Sequence, residues 1–179
     1  MPKILPNLHE EILMVGRDLL DESGYQEFSM RAVAARCGIG VGTLYNYFPS
    51  KQQMVAAILR SDWEVHLRRM AQITRQNAPE LERLLGLYGE MCAFMRGKHN
   101  MLMHELPQSM DCDEVRGALA RRSVVHRQII DTVASVLANR PKAQRLWLAD
   151  CICRLFMSYS AGSEDHGQTI QNILEKLLA

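Results

Sequence analysis

One glycine, Gly38, divides residues 30–49 into two short stretches, and apolar residues fall at helical spacing on both sides of it. Few folds satisfy such a segment. Helices this short are marginal in isolation, so they must pack on each other, and a steep helix-turn-helix corner is the compact solution. The corner needs a small residue at the closest approach, which Ala34 supplies, and a turn residue that accepts positive φ, which Gly38 supplies. Val33, Cys37, Ile39, Leu44 and Tyr47 are the expected buried contacts. The second helix then covers 41–47 and presents Gly42, Thr43, Tyr45 and Asn46 outward.

Charge is distributed unevenly around this corner. The formal net charge is only +1, yet residues 28–61 contain no Asp or Glu while carrying Arg31, Arg36, Lys51 and Arg60. Residues 1–27 instead hold Glu10, Glu11, Asp18, Asp21, Glu22 and Glu27 against Lys3 and Arg17. Such an acid-free window can arise by chance, and it is also what a local phosphate-facing surface looks like. In a DNA-binding corner, the start of the second helix, here Val41, enters the major groove. Thr43 and the tyrosine hydroxyls then bond phosphate oxygens, Asn46 reaches a base edge or a phosphate, and Gly42 permits close backbone approach. Lys51 lies in the first turn of the next helix, a position that also favours phosphate.

The rest of the chain reads as helix, with no sustained alternation and no hairpin dipeptide between apolar runs. Helices are expected at 8–23, 30–37, 41–47, 51–76, 79–97, 99–106, 112–138, 141–160 and 166–178. Asn7 and Gly24 bracket the first, Ser50 with Gln53 makes a capping box, Asp111 with Glu114 a similar start, Pro79 and Pro141 suit first turns, and Pro107 ends a helix. Helices are short before residue 50 and long after it. The expected fold is therefore all-α: a helix-turn-helix domain over 1–50 and a helical bundle over 51–179.

Residues 38–51 resemble the signature of the tetracycline-repressor (TetR) family of transcriptional regulators, with matches at Gly38, Gly42, Thr43, Tyr45, Tyr47, Phe48, Ser50 and Lys51. Ile12, Leu19, Leu20, Gly24 and Phe28 resemble the packing positions of the family's first helix. Gly40 departs from the usual Ser or Thr, Gln52 from the usual acid and Met54 from the usual Leu. The resemblance covers roughly residues 8–56. It implies an all-helical homodimer in which Thr43, Tyr45, Tyr47 and Lys51 contact the DNA backbone, and a C-terminal domain that binds an effector and dimerises. A cytoplasmic repressor that binds a palindromic operator and is released by a small molecule is the expected function.

Beyond residue 56 the sequence is less specific. The helix at 141–160 is apolar nearly all round, which calls for burial on all sides, one side against its own bundle and the other against a partner, and the last helix carries a stripe of apolar residues; the alternative is that both are ordinary core helices. Trp147, Cys151, Leu155 and Tyr159, with Ile170, Ile173, Leu174 and Leu177, are the expected dimer contacts. Met91, Met95, Met101, Met103 and Met110 cluster with Tyr88, Phe94, Trp63, His66 and Met70 nearby, and methionine suits adaptable pockets as well as plain core. Trp63, His66, Met70, Tyr88, Met91, Met95, Met103 and His104 are the expected lining of a site for an apolar or aromatic effector, with Arg96 and Glu105 as further polar candidates.

Other chemistries find little support. The five Cys are odd in number and sparse, which argues against a disulfide framework. Cys151-x-Cys153 lacks metal-knuckle spacing, and His99, His104 and Cys112 are too scattered for zinc, so neither metal nor cofactor is expected. Gly38-x-Gly40-x-Gly42 follows no strand and is not a dinucleotide fingerprint. No apolar run approaches the roughly 18 residues of a membrane helix, and residues 1–6 lack the apolar core of a secretion signal. A helical enzyme would need a polar catalytic cluster that the sequence does not show. A protein-binding adaptor would lack the steep salt dependence of DNA affinity.

Overall fold

The computed structural model describes residues 8–96, 112–160 and 166–179, and the side chains within them except those of 112–123. Among the described residues all regular structure is helical: α1 (Leu8–Glu27), α2 (Met30–Arg36), α3 (Val41–Tyr47), α4 (Lys51–Thr74), α5 (Glu80–Met95), α6 (Cys112–Val136), α7 (Lys142–Tyr159) and α8 (Gly167–Leu178). Asn7, Pro107, Asp111 and the expected helix at 99–106 lie outside the described residues.

Backbone packing divides the chain into Met1–Trp63 and Glu64–Ala179. The division falls later than the residue 50 expected from helix lengths, because the first turns of α4 belong to the N-terminal unit. Met54 and Ile58 of α4 are fully buried and lie against Gly16 of α1, where an added Cβ would meet Met54 Cε and come within 3.1 Å of Ile58 Cδ1. Arg17 of α1 donates to Asp62 Oδ1 at 2.6 Å and to Ser61 Oγ at 3.2 Å, which holds α1 along α4 as far as the last turn of this unit. Ile12, Leu20, Phe28, Val33, Ala34, Leu44 and Phe48 complete its core. Burying each large apolar side chain contributes about 1.5–3 kcal/mol.

Helix α1 turns at Gly24, whose φ of 71° and ψ of 174° are not helical. One further turn follows, with the Phe28 N–H donating to the Gly24 carbonyl at 3.1 Å. That turn carries Tyr25 and Phe28 inward, and both are buried.

In the second unit α6 and α7 form an antiparallel hairpin, and α5 packs on α6, α7 and α8. Leu84, Leu87 and Met91 of α5 meet a core built from Ile129, Val133, Leu148, Ile152, Phe156, Ile170 and Leu174. Two arginines close helix ends. Arg83 donates to the carbonyls of Thr74 and Val136, the last residues of α4 and α6, at 3.0 and 3.4 Å. Arg140 pairs with Glu80 in the first turn of α5 at 3.1 Å and donates to the Leu178 carbonyl at 2.9 Å. Cations suit these C-terminal carbonyls because the helix dipole is negative there. No helix among the described residues is long and apolar enough to cross a membrane.

Candidate nucleic-acid interface

The corner forms for reasons local to its sequence. Helix α2 ends in a Schellman motif: the Ile39 N–H donates to the Ala34 carbonyl at 3.0 Å and the Gly38 N–H to the Ala35 carbonyl at 3.1 Å. The motif needs a left-handed residue at Gly38, whose φ is 66°. Ala34 and Val33 have no exposed surface, so α2 packs tightly where the chain turns. Gly40 then starts α3 from an extended conformation without a side-chain cap. The Ser50 hydroxyl accepts from the Gln53 N–H at 3.1 Å and caps α4.

Helix α3 has seven residues, of which only Leu44 is buried. Val41, Tyr45 and Tyr47 are 37%, 45% and 39% exposed, and Gly42, Thr43 and Asn46 are exposed beside them. So short a helix, pinned by one leucine and displaying three large apolar or aromatic side chains, gains little stability from its outer face. Tyr47, expected among the buried contacts, is not one of them. Phe48, 5% exposed, packs in its place, because the chain leaves the helix there and turns the next side chain inward. Cys37 and Ile39 are half-buried at the turn, and burial, with a smaller contribution from the Glu11 charge, pushes the Cys37 thiol up.

The cations of the window differ in how free they are. Arg31 is exposed on α2. Arg36 makes a two-pronged pair with Glu22 of α1, both contacts at 3.0 Å, and this pairing holds the Glu22 carboxyl below its usual range. Lys51 Nζ donates to the Gln26 carbonyl at 3.1 Å and lies 4.6 Å from the Tyr25 ring centroid. A residue that the sequence does not point to also lies here: the His9 ring centroid is 5.2 Å from that of Phe48 and 6.3 Å from that of Tyr47. No spacing rule links a residue at the start of α1 to the end of α3.

The expected effector residues occupy α4 and α5. Trp63 closes the first unit and is buried; Met70, Tyr88, Met91 and Met95 are buried in the second. His66 Nδ1 is 2.8 Å from Glu90 Oε2 and its ring meets Phe94 edge-on at 5.5 Å. Tyr88 donates to the Tyr159 carbonyl at 3.3 Å, and its ring lies tilted against that of Phe156 with centroids 5.4 Å apart. Arg96 is exposed. Met101, Met103, His104, Glu105 and Met110 lie outside the described residues.

The expected dimer residues separate into two groups. Ile170 and Leu174 have no exposed surface in the single chain and pack α8 into its own unit. Trp147, by contrast, is 61% exposed, and Cys151, Leu155, Tyr159, Ile173 and Leu177 are half-buried. Helix α7 has an inner and an outer face in the single chain. Leu148, Ala149, Ile152, Cys153 and Phe156 form its inner face, and Leu146 and Trp147 stand outside it.

Residues 12–58 match the family model described as bacterial regulatory proteins, tetR family. The chain is 38% identical over 61 residues to the HTH-type transcriptional regulator UidR of Escherichia coli (strain K12), a match covering 34% of this chain and 31% of that protein. It is 46% identical over 46 residues to the HTH-type transcriptional repressor KstR of Rhodococcus jostii (strain RHA1), covering 26% of this chain and 22% of that one. The matched stretch thus spans about a third or less of these relatives, which are transcriptional regulators and not enzymes. In fold the chain is similar to a transcriptional regulator from Cytophaga hutchinsonii, with a TM-score of 0.73 at 15% identity, covering 96% of this chain and 95% of that one.

Proposed function

We propose that this chain, whose residues 12–58 match the tetR-family model, is a DNA-binding transcriptional regulator, a repressor that binds a palindromic operator as a homodimer and is released by a small molecule. The observation that carries this reading is α3: Leu44 anchors it, and Val41, Gly42, Thr43, Tyr45, Asn46 and Tyr47 all face outward in a segment without acids.

In this reading α3 lies in the major groove with its first residues at base edges. Thr43, Tyr45, Tyr47 and Lys51 bond phosphates and fix the register, while Val41 and Asn46 face the bases. Arg31 adds a cation on α2. Two copies present their α3 helices about 34–36 Å apart, one turn of the duplex. The partner copy meets the outer face of α7 around Trp147, with Cys151, Leu155 and Tyr159 beside it. An apolar or aromatic effector binds beside α4 and α5, where His66 and Glu90 give a polar pair among Met70, Tyr88, Met91 and Met95. Its binding shifts α4, whose first turn carries Lys51, and alters the spacing of the two α3 helices. Coupling of this kind is typically about 1–3 kcal/mol. The protein acts where its operator is, in the cytoplasm.

Selection of bound duplexes from a random pool tests the reading. The expected result is a palindromic consensus bound with an affinity that falls steeply as salt rises, through counterion release. Absence of any salt-dependent duplex affinity overturns it and favours a protein-binding adaptor.

A further inference from the structure

His9 lies in the first turn of α1, yet folding sets its ring against the end of α3. Phe48 on one side is buried and gives the imidazole a fixed wall; Tyr47 on the other is 39% exposed on the outward face of α3. His9 itself is exposed, and among the described residues it has no hydrogen bond or ion pair. The groups around it are Glu10 and Glu11, which follow it on α1 and are exposed, and the Tyr47 phenol from α3. Neither carboxylate is paired with it among the described residues, and the exposed imidazole lies beside Tyr47 on the surface formed by α3.

We propose that His9 is a phosphate-binding residue of the DNA interface, and that it binds in its protonated form, so that duplex binding takes up a proton from solution. This rests on the regulator reading: if the Tyr47 hydroxyl meets the backbone, the imidazole beside it is placed over the same strand. Imidazole changes charge between about pH 5 and 8, and when protonated both ring nitrogens are donors, which suits an anion and not a base edge. Aromatic packing on Phe48 supplies the orientation, so the side chain loses little further freedom when the phosphate arrives.

The test is duplex binding against salt concentration at about pH 6 and pH 8, using a labelled mixed-sequence duplex so that backbone contacts dominate. Wild type is expected to show a slope of log affinity against log salt that is steeper at the lower pH by about 0.9 per bound protomer, one phosphate contact. His9→Phe keeps a ring against Phe48 but carries no proton, and loses this difference. His9→Arg carries a permanent cation and shows the steep slope at both pH values. The assignment is overturned if His9→Phe retains the wild-type change of slope with pH, or if the wild-type slope is the same at both. Wild-type protein without salt-dependent binding at either pH overturns the regulator reading, and this inference with it.

Discussion

The Lys51 ammonium lies 4.6 Å from the centroid of the Tyr25 ring while donating to the Gln26 carbonyl at 3.1 Å. The first turn of α4 is thereby tied to the last turn of α1. An ammonium has three donors, and one of them makes the bond to Gln26. Lys51→Ala is expected to act twice: stability in urea falls by about 0.5–1 kcal/mol, the value of an exposed cation–π contact, and the salt slope of duplex binding flattens by about 0.9. A loss of stability with an unchanged slope would assign Lys51 to the tether alone.

Gly38 offers a cleaner separation of backbone from contacts. A Cβ there would meet nothing within 4 Å, but φ is +66°. Gly38→Ala is therefore expected to destabilise the protein by about 1–2 kcal/mol through left-handed strain alone. Thermal unfolding reads this. A melting temperature equal to wild type would mean that the turn relaxes to another conformation.

What the sequence revealed of this region, and what it did not, follows from the range of the interactions. Ala34, Gly38 and Leu44 act within one corner, and their spacing is enough to identify them. The exchange of Tyr47 for Phe48 in the core occurs at the last turn of α3, where helical periodicity ends and no longer says which side chain points in. The pairing of Arg36 with Glu22 and the packing of His9 on Phe48 are tertiary, and composition counted Arg36 as a free cation when it is neutralised. In α8 the apolar stripe singles out Ile170 and Leu174, but periodicity does not say against what they pack. They pack into their own unit. In α7, too, periodicity does not say which apolar side chains pack within the unit: Leu148, Ile152 and Phe156 do, and Trp147 stands outside.

Burial pushes the Cys153 thiol up from 9.0 to about 11, with the Asp150 charge adding to the effect. Its sulfur lies 3.5 Å from His126 Nδ1, but a buried neutral thiol is a poor nucleophile. The folded state holds the proton to higher pH than the unfolded chain does. The resulting stability is present below about pH 9 and declines from there toward pH 11. Cys153→Ala is expected to lose that part of the alkaline decline in urea unfolding. Iodoacetamide is expected to label the half-buried Cys92 and Cys151 before Cys153 in the native protein, which peptide mass mapping follows. Early labelling of Cys153 would contradict its burial.

The outer face of α7 gives the proposed dimer its most direct test. Trp147 is 61% exposed, so replacing it does not disturb its own unit, and the inner face of Leu148, Ile152 and Phe156 stays intact. A tryptophan at the centre of an interface typically contributes 2 kcal/mol or more. Trp147→Glu is therefore expected to weaken self-association at least about thirtyfold while leaving the melting temperature measured on dilute monomer unchanged. Sedimentation over a concentration series reads the first quantity. Affinity for a two-half-site duplex should fall with it, because each copy then binds its half-site alone, whereas affinity for a single half-site should hold. If Trp147→Glu sediments like wild type, the partner meets some other face, and the spacing of the α3 helices must be set from there.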